Sequence, residues 1–407
     1  MRIYHLVISV CMSLNVLCYG KQRNESSKDE VCPSNHSDAC QEGIQEKEYF
    51  TPFKYETSQN WVALEKVFPL YTAWHNRTLE NSGIPCNEKK SLVFTPNAGL
   101  GDSIGALTSA FTYAVKTGRL FFIDWQPYEW TVGLKALPFN FDYGKVTSLK
   151  DPFNDEPLIC ISDHDKASFL TGHATQQHAV VNEPVVNDIY FSYEHLAAKL
   201  LQPSPKVKRI VDEVVNSRLQ PSDKIEGGYL NRSVAIVMRT GNSDYVQFLS
   251  EDDEMNFVKC FRNYANIYVK KQPSQVRFRV FVTSDSETVK ERVVDELENG
   301  DNGDVTLEVV TLDDSIIHVM HVEEKSKRKK SVRDRIRKTY AEFFLIGRCE
   351  VLFLTHGSLF GRAASDRGVA KESDVHFISD SECDGKREKY SYLQCHEPKY
   401  PKVCGFD

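Results

Sequence analysis

The chain has no surplus of positive charge: 50 Lys and Arg stand against 57 Asp and Glu, a formal net charge of -7 over 407 residues. That balance argues against nucleic acid as the main partner, because a phosphate backbone asks for a basic face. Past residue 20 no run is apolar enough to cross a bilayer, which takes about 20 apolar residues. No heptad repeat marks a coiled coil, and no two of the 11 cysteines stand as C-x-x-C. The last absence sets a zinc site in the tail behind disulfides.

What is present begins with a targeting segment at residues 1–20. Arg2 gives a positive start, residues 6–18 are mostly apolar, and Cys18-Tyr19-Gly20 is a small-x-small cleavage site. An uncleaved signal anchor is the rival reading, and only that reading gives the chain a membrane contact. His5, Ser9, Ser13 and Asn15 favour cleavage. Either way the remainder is expected in the secretory pathway, in the Golgi or ER lumen, or secreted. Sequons at Asn24, Asn35, Asn76 and Asn231 fit that route as N-glycosylation sites. So does the cysteine usage, since most thiols pair in an oxidising compartment. Cys32 with Cys40, and a pairing among Cys383, Cys395 and Cys404, are the expected local bridges. Cys349, between a helix and an apolar strand, is the expected buried free thiol.

Residues 91–128 organise the chain: strand, glycine-rich turn, helix, strand. Residues 91–95 are short and apolar, and 96–101 break with Pro, Asn and two glycines. From Ser103, Ile104, Leu107, Phe111, Ala114 and Val115 recur at helical spacing. Thr117-Gly118 closes that helix, and residues 120–123 read as a strand covered on both faces. Ahead of it, residues 21–85 hold a polar stem and a helical segment. The second half alternates cleanly: strands at 234–238, 276–283, 305–312 and 351–354, helices at 251–270, 287–297 and 331–347, with Ser250 capping the first helix. Repeated βαβ units imply parallel, doubly wound sheets. The polar stretch 221–228 is the expected boundary between domains at 86–225 and 226–382, and 383–407 is a Cys-containing tail.

In an open parallel sheet, ligands sit beyond the C-terminal strand ends. There the chain places Arg239-Thr240-Gly241-Asn242-Ser243-Asp244, then Asp285, then Asp313-Asp314 with a basic run at 325–330, then His356-Gly357-Ser358. An arginine, a carboxylate and a Gly-Ser turn entering a helix suit a nucleotide diphosphate. Each residue also has a plainer reading. Arg239 can be a surface arginine, Asp285 a helix cap, Ser358 a turn residue, Gly99 and Gly101 aids to backbone shape, and the basic run a solvated loop. Asp163-His164-Asp165 has the D-x-D form that holds manganese in some glycosyltransferases; a turn is the simpler reading.

Four stretches in order, NAGLGDSIGALTSAFTYAVKTGRLFFIDW, VAIVMRTGNSDY, RVFVTSDSETVKE and YAEFFLIGRCEVLFLTHGSLFGRAA, resemble the glycine-rich and donor-site motifs of a fucosyltransferase clan. That clan joins the α1,6-fucosyltransferases of NodZ type, plant xyloglucan α1,2-fucosyltransferases and protein O-fucosyltransferases. The resemblance implies a GT-B fold, two Rossmann-like doubly wound domains facing a cleft, the first acceptor-side and the second for the donor. It implies inverting transfer of fucose from GDP-fucose to a glycan or glycoprotein, with no metal ion or other cofactor. It likens Arg239 to the arginine on the donor diphosphate, Asp285 to the aspartate on guanosine, Gly357-Ser358 to the phosphate turn, and Gly99 and Gly101 to the loop across the cleft. Two positions depart: Val237 stands where the α1,6 and O-fucosyl enzymes commonly carry His, and Thr240 where many carry a second Arg. No motif fixes the general base; Asp244 is the nearest carboxylate after Arg239. The departures sustain an alternative, a catalytically silent binder of nucleotide sugar or glycan with the same fold.

Overall fold

The structure is a computed structural model and describes residues 64–81, 83–96, 99–125, 128–150, 159, 191, 193–219, 225–226, 228–241, 253–312, 329–379 and 383. All of them lie in one compact unit, Tyr49–Asp407. Asp244, Asp163–Asp165, Asp313, Asp314, residues 325–328 and the sequons at Asn24 and Asn35 fall outside the described residues.

The first half is built on one βαβ unit. Helix α1 (Leu64–Glu80) precedes β1 (Ser91–Phe94), α2 (Leu100–Thr117) and β2 (Leu120–Ile123). The two strands pair in parallel, Ser91 opposite Leu120, and every residue of both is buried. Helix α2 starts three residues earlier than its apolar stripe suggests. Gly99 forms its N-cap, and the Ser103 amide already bonds to the Gly99 carbonyl. At the other end Gly118 sits at φ 64° and ψ 44°, and Arg119 N donates to Ala114 O at 2.8 Å. A side chain at that left-handed position would be strained. Aromatic rings from α1 complete this layer. Tyr71 OH donates to Arg119 O at 2.7 Å, and His75 Nε2 meets Phe121 O at 3.1 Å. After the single turn α3 (Tyr143–Val146), α4 (Tyr193–Leu200) and α5 (Pro205–Val214) follow. Ser204 caps α5 and Pro205 opens it, as a residue whose missing N–H costs nothing there.

The second half is a doubly wound sheet. Strand β3 (Ile225–Glu226) is a short antiparallel addition to β4 (Tyr229–Met238). The rest alternates: α6 (Glu254–Lys271), β5 (Gln275–Ser284), α7 (Glu287–Asn299), β6 (Thr306–Val310), α8 (Lys330–Ile346), β7 (Val351–Thr355), α9 (Leu359–Asp366) and β8 (Val375–Ile378). The strand order is β6-β5-β4-β7-β8, all parallel. The sheet grows outward from β4 in both directions, so the β4–β7 seam is the topological switch point, the place where such folds hold ligands.

One face of this sheet carries Phe257, Phe261, Val293 and Leu297 of α6 and α7. The other face shares a continuous apolar core with the first half: Ala235, Val237, Phe281, Leu352 and Leu354 join Phe111 and Phe121. Tyr128 OH and Tyr340 OH meet at 2.8 Å across that core, and a Cβ on Gly133 would overlap the Tyr340 ring. At the opposite strand ends, Arg232 bonds Glu350 at 3.1 Å and Asp374 at 3.3 Å, tying the starts of β4, β7 and β8 together.

Several expectations are corrected. Helix α6 begins at Glu254 after Asp253, not at 251 behind Ser250. Cys383 pairs with Cys260 rather than with a tail cysteine, because the chain after β8 returns to α6. Cys86 is disulfide-bonded as well. Asn231 is fully buried on β4 between β5 and the neighbouring elements, so a folded chain has no room for a glycan there. Asn76 is partly exposed on α1, and its amide bonds Asn140 N at 3.1 Å and Pro138 O at 3.5 Å. Cys349 is the buried free thiol that the sequence suggests, and burial raises its pKa.

Candidate functional site

The register brings the candidate residues to one sheet edge. Met238 lies opposite Ser284, and Val237 opposite both Thr283 and Leu354. Arg239 and Asp285, each just past its strand, therefore leave the sheet side by side. Arg239 Nη1 stands 3.0 Å from Asp285 Oδ2, with the two side chains 16% and 12% exposed. The other carboxylate oxygen, Oδ1, accepts from Thr240 N at 2.8 Å and from Thr240 Oγ1 at 3.0 Å. Across the switch point, Arg239 N donates to Thr355 Oγ1 at 2.8 Å, and that hydroxyl donates to Val237 O at 3.2 Å. Thr355 thus pins the start of the Arg239 turn to the end of β7.

The plainer readings separate here. Asp285 does not cap α7; Ser286 does, its hydroxyl accepting from Val289 N at 3.4 Å. The Asp285 carboxylate is left to Arg239 and Thr240. Ser358 is the N-cap residue of α9 but makes no side-chain cap bond, and it is buried. Its amide donates to Thr355 O at 3.1 Å, closing the turn in which Gly357 takes φ 77°. Only a residue without Cβ adopts that angle freely. His356 is a partly exposed loop residue whose amide bonds Ile378 O at 2.9 Å.

The glycine-rich turn of the first half arrives at the same place. A Cβ on Gly101 would overlap the Leu359 carbonyl and the Phe360 amide nitrogen. The first turns of α2 and α9 therefore pack backbone to backbone. Two helix N-termini converge, each with amide groups lacking intrahelical acceptors and each the positive end of its dipole. Gly101 is needed for this approach whatever it also contacts.

Three residues escaped the sequence reading. Thr240 looked only like a missing arginine, yet it makes two bonds to Asp285. Thr355 links two strand ends and carried no signal beyond its place after a strand. Glu342, in the last turns of α8, is buried beside Thr283 and near Lys290, and burial pushes its pKa up to about 8, partly offset by Thr283 and Lys290. A lone acidic residue among Tyr340, Ala341, Phe343 and Phe344 was the available sign. Among the described residues no group of three or more His, Cys, Asp or Glu side chains converges as a metal site.

Taken together, the edge offers one cation held by a carboxylate, a hydroxyl not spent on its own helix and two helix N-termini. Such a set can bind a diphosphate and orient a hydroxylated group beside it. No family model matches the chain, and no curated protein does. Solved structures resemble it in outline. NodZ α-1,6-fucosyltransferase co-crystallised with GDP is 17% identical, with a TM-score of 0.43, over 68% of this chain and 92% of that one. A mutant of FUT1 from Arabidopsis thaliana in complex with GDP is 15% identical, with a TM-score of 0.44, over 84% and 83%. POFUT1 in complex with GDP is 8% identical, with a TM-score of 0.36, over 72% and 99%.

Proposed function

We propose that the chain is a glycosyltransferase that moves fucose from GDP-fucose to a hydroxyl of a glycan or glycoprotein in the lumen of the secretory pathway. The observation that supports this best is the Arg239–Asp285 pair at the switch point, beside the Gly357-Ser358 turn. Arg239 would hold the diphosphate by charge-assisted bonds, with the first amides of α9 and the Ser358 hydroxyl beside it. Asp285 would accept from the guanosine. An acceptor hydroxyl attacks the anomeric carbon from the face opposite the diphosphate. Its oxygen forms the new bond as the bond to phosphate breaks. The base takes the proton, and GDP leaves with its charge against Arg239. Inversion follows from that single displacement, and no metal ion is required because the cation is a side chain. Asp244 is the proposed base.

The test is GDP release from GDP-fucose by the lumenal part with a mixed glycan pool, with and without EDTA, against Arg239→Ala. Release that survives EDTA and vanishes in Arg239→Ala supports the reading; manganese-dependent release counts against it. A second reading, the silent binder, is favoured by one observation: Asp285 already neutralises Arg239, and Thr240 adds no second cation. A GDP-induced thermal shift without turnover would select it.

A further inference from the structure

Residues 329–338 read KKSVRDRIRK, six cationic side chains and one carboxylate in a chain of formal net charge -7. On α8, Ile336, Tyr340 and Phe343 bury one face. The cationic residues spread over the rest. Lys329, Lys330 and Arg335 are exposed, and Arg333, Arg337 and Lys338 partly so. The carboxylate, Asp334, is held by Arg337, while Arg333 Nη2 reaches Glu129 Oε2 at 3.3 Å. Lys329, Lys330 and Arg335 have no ion-pair partner among the described residues.

The position of this charge is fixed by Glu342. That carboxyl lies beside Thr283, two residues before Asp285. Lys338 and Arg335 precede it by four and seven residues, so the three share one stripe of the helix. At 1.5 Å per residue, Arg335 is about 10 Å and Lys330 about 18 Å along the helix from Glu342. Helix α8 descends toward the start of β7, so these turns stand beyond the strand ends that hold Asp285 and Arg239. A cationic stripe leads outward from the candidate donor site, strengthened by the positive end of the helix dipole.

We propose that the first half of α8 is an acceptor-side subsite for an anionic glycan, one carrying carboxylate or sulfate groups. This rests on the glycosyltransferase reading above. Arg335 and Lys338 lie on one stripe and Lys330 about a third of a turn round from it, so the cations form a band along the exposed helix surface, as successive charges of an extended saccharide would need. A single phosphate would use only one end of it.

The full chain is titrated with a heparin-derived octasaccharide, a neutral dextran octasaccharide and a single-stranded DNA oligonucleotide of matched charge, and the GDP-induced thermal shift is read in the same samples. The sulfated saccharide should bind, the neutral one should not, and the double variant K330Q/R335Q should weaken binding by about tenfold or more while its GDP shift persists. Lys271→Gln, an exposed cation on α6, should bind as the unaltered chain does. Equal binding of neutral and sulfated saccharide, equal loss in Lys271→Gln, or DNA bound as tightly as the sulfated saccharide overturns the proposal. Glycan binding without any GDP shift overturns the donor-site reading instead, and with it the assignment of this surface to an acceptor.

Discussion

Arg239 and Asp285 hold each other 3.0 Å apart at the ends of adjacent strands, so on the proposed reading a diphosphate would share the guanidinium with a carboxylate already in place. Arg239→Ala should abolish the GDP-induced thermal shift. Arg239→Lys keeps the charge but loses the planar fork, and GDP should bind more weakly by about 1.5–3 kcal/mol. Asp285→Asn should act in two directions, tightening inorganic pyrophosphate and weakening GDP relative to it. Calorimetric titration of both ligands decides the matter: if GDP gains as much as pyrophosphate, Asp285 has no guanosine role.

Gly101→Ala should be costly although it adds one methyl group. The new Cβ meets backbone atoms of Leu359 and Phe360, which cannot swing aside as a side-chain tip would. Overpacking of this kind costs about 1–3 kcal/mol, and it would part the two helix N-termini. Urea unfolding should show the loss, and GDP affinity should fall with it. A stable variant with normal affinity would mean that the helices separate freely.

His75 predicts an acid-sensitive first half. Burial lowers its pKa to about 4, with the Phe121 carbonyl and Asn76 opposing. The unfolded chain takes up a proton near 6.5 that the folded chain refuses, so stability falls as pH drops from about 6.5 to about 4 and levels off below. The expected span is about 3 kcal/mol. His75→Gln should flatten that limb of the pH–stability curve measured by urea denaturation.

Glu342 predicts the reverse on the alkaline side. With its folded pKa near 8, the folded chain keeps a proton that the unfolded chain releases near 4.5. Stability contributed by the protonated form is lost as pH rises from about 4.5 to about 8, by at most about 5 kcal/mol. Glu342→Gln should therefore be more stable than the unaltered chain at pH 8 and lose that advantage by pH 5. Equal midpoints at both pH values would place the carboxyl in contact with water.

Asn231 should carry no glycan. Peptide mapping of the chain expressed through a eukaryotic secretory pathway should find residue 231 unmodified, since its side chain is fully buried. Occupancy at Asn231 would require β4 to leave the sheet.

The alternation of strand and helix was legible because each element states its environment. The apolar runs of β2 and β7 announce burial on both faces, and Gly118 announces the end of α2. The edge residues Arg239, Asp285 and Ser358 were legible from topology alone, since a parallel sheet sends every strand end to one side. What could not be read were relations across sequence distance. The bonds from Thr240 to Asp285 and from Thr355 to Arg239 need the register, which no local pattern gives. The partner of Cys383 needed the path of the chain after β8. Asn231 matches its sequon, but the motif cannot report that its strand lies inside a sheet.

The Cys260–Cys383 bridge joins residues 123 positions apart and closes a loop that contains β5 through β8. A single backbone cut anywhere inside that loop, including between β6 and α8, leaves both fragments joined until the bridge is reduced. The strands that bear Asp285 and those that bear Ser358 would then still form one covalent body, whereas reduction would release them as separate chains.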